Sequence, residues 1–254
     1  MKIALIQTNI IWENPSENRQ IFEDKINEIS KAIDLIILPE MFTSGFTMQP
    51  ENVAETMNGI TVSWLQHIAT TKNCAITGSL VVSENNNFYN RMVFVFPDGE
   101  IQYYDKKHLF TLAGEDKVFT SGNEKVIVNY KTWKICLQVC YDLRFPVFSR
   151  NTENYDVLIY VASWPKVRTN AWDILLKARA VENLSYVIGV NRIGLDNNNL
   201  EYIGHSQIVD ELGNFIIEPT ENEGVFMADL NQNTMQETRK KLNFLNDKDV
   251  FNLI

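Results

Sequence analysis

Cysteine is scarce, with three in 254 residues. The odd number argues against a disulfide framework and favours reduced thiols, as in a cytoplasmic protein. Histidine is equally rare, and His67, His108 and His205 lie far apart. None shares ligand spacing with another His or with a Cys, so no metal site is expected. Basic residues are outnumbered, 23 Lys and Arg against 32 Asp and Glu, for a net charge of −9. Nucleic-acid binding needs a basic face that this composition lacks. An anionic small substrate would need a locally placed cation. No Gly-rich phosphate-binding motif is present, which argues against a nucleotide cofactor. No apolar run approaches the length of a membrane span. Met1-Lys2-Ile3-Ala4-Leu5-Ile6 enters a strand pattern without a secretory h-region, and the expected location is the cytoplasm.

What is present is a dense alternation of apolar runs and helical periods. Residues 2–8 read as a strand. Asn14-Pro15-Ser16-Glu17 resembles a helix start, and Ile21, Phe22, Ile26, Ile29 and Ile33 follow at helical spacing. Residues 34–38 form an apolar strand ending at Pro39-Glu40, completing a strand–helix–strand unit that favours a parallel pair. A helix is expected over 61–72 and a meander over 74–104, followed by an unusually long irregular segment over 105–122. Strands follow over 125–130, 133–139 and 156–162, then a helix over 170–184 and a strand over 185–191. Residues 194–199 read as a polar turn. Closing strands and a short polar helix over 231–241 complete the pattern.

About a dozen strands with four or five helices exceed one doubly wound sheet. The expected fold class is α/β, with two mixed sheets packed face to face and helices on both outer sides. No linker divides the chain, so 1–254 reads as a single domain. The tail over 242–254 keeps Phe244, Leu245, Val250, Phe251, Leu253 and Ile254 and is expected to pack on a partner subunit.

Chemistry-bearing residues stand where strands end. Cys140 follows the run 133–139 at a strand-to-helix turn, although a single cysteine there usually only packs. Cys74 and Cys136 fall within apolar strands and read as packing residues. Glu40 ends an early strand, and an ammonium lies in the run Asp105-Lys106-Lys107-His108, where the residues alone do not tell Lys106 from Lys107. A carboxylate, an ammonium and a thiol at the carboxyl ends of strands would make a coherent machine. The carboxylate would take the thiol proton, and the ammonium would stabilise an oxyanion formed by attack on a carbonyl. A cysteine–histidine dyad through His108 or His205 is the competing arrangement, and nothing in the sequence places either ring beside Cys140.

These segments carry a resemblance. Leu38-Pro39-Glu40-Met41-Phe42, Asp105-Lys106-Lys107-His108-Leu109-Phe110 and Val139-Cys140-Tyr141-Asp142-Leu143-Arg144-Phe145-Pro146 resemble, in order, the three motifs of the nitrilase superfamily of carbon–nitrogen hydrolases. Ala162-Ser163-Trp164-Pro165 and Gly189-Val190-Asn191-Arg192 support it. The resemblance implies a four-layer αββα sandwich, usually a homodimer, and needs no cofactor. It implies Cys140 as a nucleophile that forms a thioester, Glu40 as general base and Lys107 as oxyanion stabiliser, helped by the backbone N–H of Tyr141. Glu115 would support Lys107.

Glu40-Met41-Phe42-Thr43-Ser44-Gly45-Phe46 and His108-Leu109-Phe110-Thr111-Leu112-Ala113-Gly114-Glu115 are most similar to the omega-amidase branch, whose members hydrolyse monoamides of 2-oxo dicarboxylic acids such as 2-oxoglutaramate and 2-oxosuccinamate. Deaminated-glutathione and N-carbamoyl amide hydrolases are the neighbouring alternatives, and a silent scaffold member is the non-enzymatic one. Arg144 reads equally as an ion-pair partner for Asp142 or as the cation for the substrate's free carboxylate. Phe42 and Trp164 are candidate pocket residues, although aromatics at strand ends mostly cap a core.

Overall fold

The computed structural model describes residues 1–252. The first half runs β1 (Lys2–Gln7), α1 (Pro15–Asn27), β2 (Leu35–Ile37), α2 (Ile60–Lys72), β3 (Ala75–Glu84), β4 (Asn87–Val95) and β5 (Ile101–Asp105). The second runs β6 (Val126–Tyr130), β7 (Trp133–Val139), α3 (Pro146–Ser149), β8 (Val157–Ala162), α4 (Thr169–Asn183), β9 (Tyr186–Asn191), β10 (Ile193–Leu195), β11 (Glu201–Ile203), β12 (Gln207–Val209), β13 (Phe215–Ile217), β14 (Gly224–Asp229) and α5 (Gln232–Leu242). The start of α1 is built as its residues suggest. Asn14 Oδ1 accepts from Glu17 N at 3.2 Å, its amide donates back to Glu17, and Pro15 opens the first turn where no N–H is needed.

Two six-stranded sheets result, ordered β14-β1-β2-β3-β4-β5 and β13-β12-β9-β8-β7-β6. In the first, β1, β2 and β3 run parallel and the rest antiparallel. In the second the parallel trio is β7, β8 and β9. The trios are buried on both faces, which is why their strands read as unbroken apolar runs. Alternate residues of one strand serve two cores. Ile3 and Leu5 of β1 point into the cluster between the sheets, and Ala4 and Ile6 point out against Phe22, Ile26 and Leu65 of α1 and α2. Likewise Val157, Ile159 and Val161 of β8 face inward, while Leu158, Tyr160 and Ala162 meet Trp172 and Leu176 of α4. The layers are therefore helix, sheet, sheet, helix.

One local expectation changes. The segment read as a polar turn over 194–199 belongs to a hairpin in which Ile193 pairs with Ile203 and Leu195 with Glu201. Its strands are three residues each, too short to show a period of two. In the tail, Phe244–Asp247 forms one 3-10 turn with Leu245 buried, while Val250 is fully exposed. Leu253 and Ile254 lie outside the described residues. No described helix is long and apolar enough to cross a membrane.

Candidate active site

The parallel trios end on the same side as the polar cluster, and the ends of β2, β7 and β8 supply it. Glu40 lies three residues beyond β2, in a turn where Met41 takes φ +44° and its N–H is held by Ser79 Oγ of β3 at 2.9 Å. Cys140 directly follows β7 at φ +45° and opens the 3-10 turn Cys140–Arg144. Left-handed backbone at residues bearing a Cβ is uncommon, and here it turns the carboxylate and the thiol out of their strands. The first N–H groups of a 3-10 turn have no partner inside it, which leaves the amide of Tyr141 available to an incoming oxygen.

The ammonium in the cluster belongs to Lys106, and this corrects the assignment of Lys107. Lys106 Nζ donates to Glu40 Oε1 at 2.9 Å and to both oxygens of Glu115 at 3.0 and 2.9 Å. All three side chains are buried. Lys107 points elsewhere, its ammonium 3.4 Å from Asn123 Oδ1 at the surface. The reason is the pleat. Lys106 N donates to Asn90 O at 3.0 Å and so continues the β4–β5 ladder by one residue. Successive side chains alternate across a strand, so Lys106 shares the inward face of buried Tyr104, while Lys107 falls on the other face. Extending the period of two by one step would have separated the two lysines.

Glu115 joins the cluster from the 3-10 turn Glu115–Lys117, its Oε2 also accepting from Phe110 N. Asn90 of β4 completes it and was not singled out from sequence. Its amide donates to Glu40 Oε1 at 2.8 Å and to Glu115 Oε1 at 3.3 Å. The available signal was a polar amide inside the otherwise apolar face of β4. Glu40 Oε2 accepts from Ser163 N at 2.7 Å, at the end of β8, so the carboxylate is held by donors from both sheets.

Burial pushes the Cys140 thiol well above its ordinary range, the Glu40 carboxylate it hydrogen-bonds pushes it further, and Lys106 pulls the other way. Cys140 is therefore held as a thiol, with the Glu40 carboxylate in contact. Burial works against the charge on Lys106, but Glu115 and then Glu40 outweigh it and hold the ammonium protonated. Burial likewise raises Glu115, against the pull of Lys106. Neither histidine competes. His108 Nδ1 lies 2.7 Å from Asp142 Oδ1, and His205 Nδ1 lies 2.9 Å from Asp173 Oδ2.

Cys140 and Lys106 open onto a cavity of about 320 Å³. Trp164 lines it, with Phe46, Phe110 and Tyr141. Phe42 does not: it is fully buried behind the site, edge-on to Phe22 at 5.4 Å and near Trp64 at 6.1 Å, in the core under α1 and α2. Four residues on, after the turn at Gly45, Phe46 takes the pocket position. Arg144 makes no ion pair with Asp142. Its guanidinium lies over Trp164, 5.0 Å from the ring centroid, on the cavity wall. A second cation missed from sequence, Arg168, lies over Phe110 at 5.2 Å on the same wall. Neither arginine has a carboxylate partner among the described residues.

A family model described as carbon–nitrogen hydrolase matches residues 2–240. An omega-amidase, YafV, of Yersinia enterocolitica is 40% identical over 257 residues, covering 100% of this chain and 99% of its own. A 2-oxoglutaramate amidase of Bacillus subtilis is 33% identical, with 98% of each chain covered. The crystal structure of XC1258 from Xanthomonas campestris, a CN-hydrolase superfamily protein with an arsenic adduct in its active site, matches with a TM-score of 0.98 at 40% identity, covering 100% of this chain and 99% of the other.

Proposed function

Since this chain belongs to the carbon–nitrogen hydrolase family, we propose that it is an omega-amidase, releasing ammonia from the terminal amide of a 2-oxo dicarboxylic acid monoamide such as 2-oxoglutaramate. The observation that carries the chemistry is the Lys106 ammonium held between Glu40 and Glu115 beside the Cys140 thiol. The substrate class rests on the amidases it resembles and on the two unpaired arginines of the cavity wall.

The thiol sulfur attacks the amide carbonyl as its proton passes to Glu40. Negative charge develops on the carbonyl oxygen, where the Lys106 ammonium and the Tyr141 N–H receive it. Collapse breaks the C–N bond, Glu40 returns the proton to nitrogen, and ammonia leaves a thioester on Cys140. A water then loses its proton to Glu40 and adds to the thioester. The carboxylic acid departs and the thiol is regenerated with the proton from Glu40. Glu115 keeps Lys106 charged and aimed, and Asn90 steadies both carboxylates. Arg144 and Arg168 receive the carboxylate at the far end of the substrate. Protein groups alone supply this chemistry.

The proposed working form is a single-domain cytoplasmic enzyme assembled as a homodimer. Exposed apolar side chains on α3 and α4, Val147, Ile174 and Val181, support that assembly. The decisive assay follows ammonia release from 2-oxoglutaramate by the wild type and by Cys140→Ala, Lys106→Gln and Lys107→Gln. The first two are expected to lose on the order of 10²-fold or more in kcat, and Lys107→Gln to stay within about threefold. Equal rates for wild type and Cys140→Ala would sink the proposal. A panel with deaminated glutathione and an N-carbamoyl amide, ranked by kcat/KM, separates the neighbouring activities.

A further inference from the structure

The mechanism above leaves one buried carboxylate next to the nucleophile without a part. Asp142 is fully buried and has no Lys or Arg within ion-pair distance among the described residues. Its oxygens are nonetheless occupied from four directions. Oδ2 accepts from the Tyr104 hydroxyl at 2.7 Å and from Val139 N at 2.9 Å. Oδ1 accepts from His108 N at 3.0 Å and sits 2.7 Å from His108 Nδ1. A buried carboxylate needs such donors to stay where it is.

The origin of the donors is informative. Val139 belongs to the turn of Cys140, so its bond closes the backbone around the nucleophile. Tyr104 and His108 stand two residues before and two after Lys106, on the strand end and loop that carry the ammonium. The Tyr104 hydroxyl also accepts from Lys107 N at 2.9 Å, which holds the backbone just past Lys106. The His108 ring lies flat on Phe145, centroids 3.8 Å apart and planes 4° apart, and meets Phe148 edge-on at 5.3 Å. One carboxylate and one stacked ring thus join the two segments, one from each sheet.

We propose that Tyr104 and His108 are positioning residues for the reaction, acting through Asp142 to hold Lys106 in register with Cys140. The left-handed backbone of Cys140 is uncommon for a residue with a Cβ and persists only where neighbours over-determine it. Four hydrogen-bond contacts converge on this one carboxylate and fix that backbone and the lysine segment together. This rests on the reading that Cys140 and Lys106 carry the chemistry.

Three single variants separate the contributions. His108→Phe keeps a flat ring for Phe145 and removes the ring N–H, His108→Asn keeps a short donor and loses the ring, and Tyr104→Phe removes only a hydroxyl. In His108→Phe and Tyr104→Phe, kcat is expected to fall on the order of 10- to 100-fold with KM within about twofold. His108→Asn is expected to recover most of kcat. Alkylation of Cys140 by iodoacetamide should slow in the two impaired variants, because a displaced Lys106 no longer favours the thiolate. A kcat within about twofold of wild type in both, a loss confined to KM, or a His108→Asn variant as poor as His108→Phe overturns the proposal. If the wild type releases no ammonia from the 2-oxo amide, the functional reading fails separately. The alkylation rates still decide, and equal rates in wild type and variants overturn the positioning role.

Discussion

At the scale of residues, the cluster is one cation between two carboxylates and a thiol, and burial raises that thiol before its charged neighbours act on it. Glu40 raises the thiol and Lys106 lowers it. Removing the charge of Glu40 should therefore move the Cys140 titration downward, although the same change removes the base of the proposed mechanism. In Glu40→Gln we expect the midpoint of the iodoacetamide pH profile to shift to lower pH while amide hydrolysis falls by on the order of 10²-fold or more. A midpoint that stays or rises contradicts the electrostatic account. Glu40 and Cys140 were legible from sequence because each follows an apolar run at a strand end. Lys106 was not, because telling it from Lys107 requires carrying the period of two one residue past the end of β5, into a charged run. The ladder bond from Lys106 N to Asn90 O supplies the missing phase. Asn90 and Arg168 escaped for a different reason: each acquires its meaning only from partners distant in sequence.

At the scale of elements, the site is built by turns resting on strands. Gly78 of β3 shows how closely. A Cβ there would come 2.8 Å from Leu38 Cβ and 3.2 Å from Phe42 Cδ1, the residues on either side of Pro39-Glu40-Met41. Leu38 Cβ cannot swing away, so Gly78→Ala should push the Glu40 turn outward. Overpacking of this kind costs about 1–3 kcal/mol. We expect a lowered thermal midpoint and a kcat reduced more than the folded fraction accounts for, measured by thermal denaturation and steady-state assay on the same preparation. A variant with wild-type kcat would show that the turn tolerates displacement. The same close packing explains why Phe42 belongs to the core and Phe46 to the pocket. Sequence shows an aromatic near a strand end but not the left-handed turns at Met41 and Gly45 that decide which ring points where.

At the scale of the whole molecule, the two-sheet architecture followed from counting apolar runs, because strands buried on both faces announce themselves. Strand order was not legible. Pairing between β1 and β14 joins Lys2 to Asp229, and no local pattern encodes such a contact. The active site depends on this assembly, since Glu40 and Lys106 come from one sheet and Cys140 and Ser163 from the other.

The pairing of β1 with β14 has a consequence in time. The Met1 ammonium donates to Leu230 O at 2.8 Å, spanning nearly the whole described chain. During synthesis, β1 emerges more than two hundred residues before its outer partner. Until then β1 is an apolar strand with an open edge, the situation that invites pairing with another chain. A chain ended after Glu223 should therefore be recovered mainly as inactive aggregate, which sedimentation of the expressed product would reveal; a soluble, active product would refute this. Closure between such distant partners is also slow. The protein becomes a catalyst only after translation has passed β14, and until that moment β1 depends on whatever shields a nascent edge.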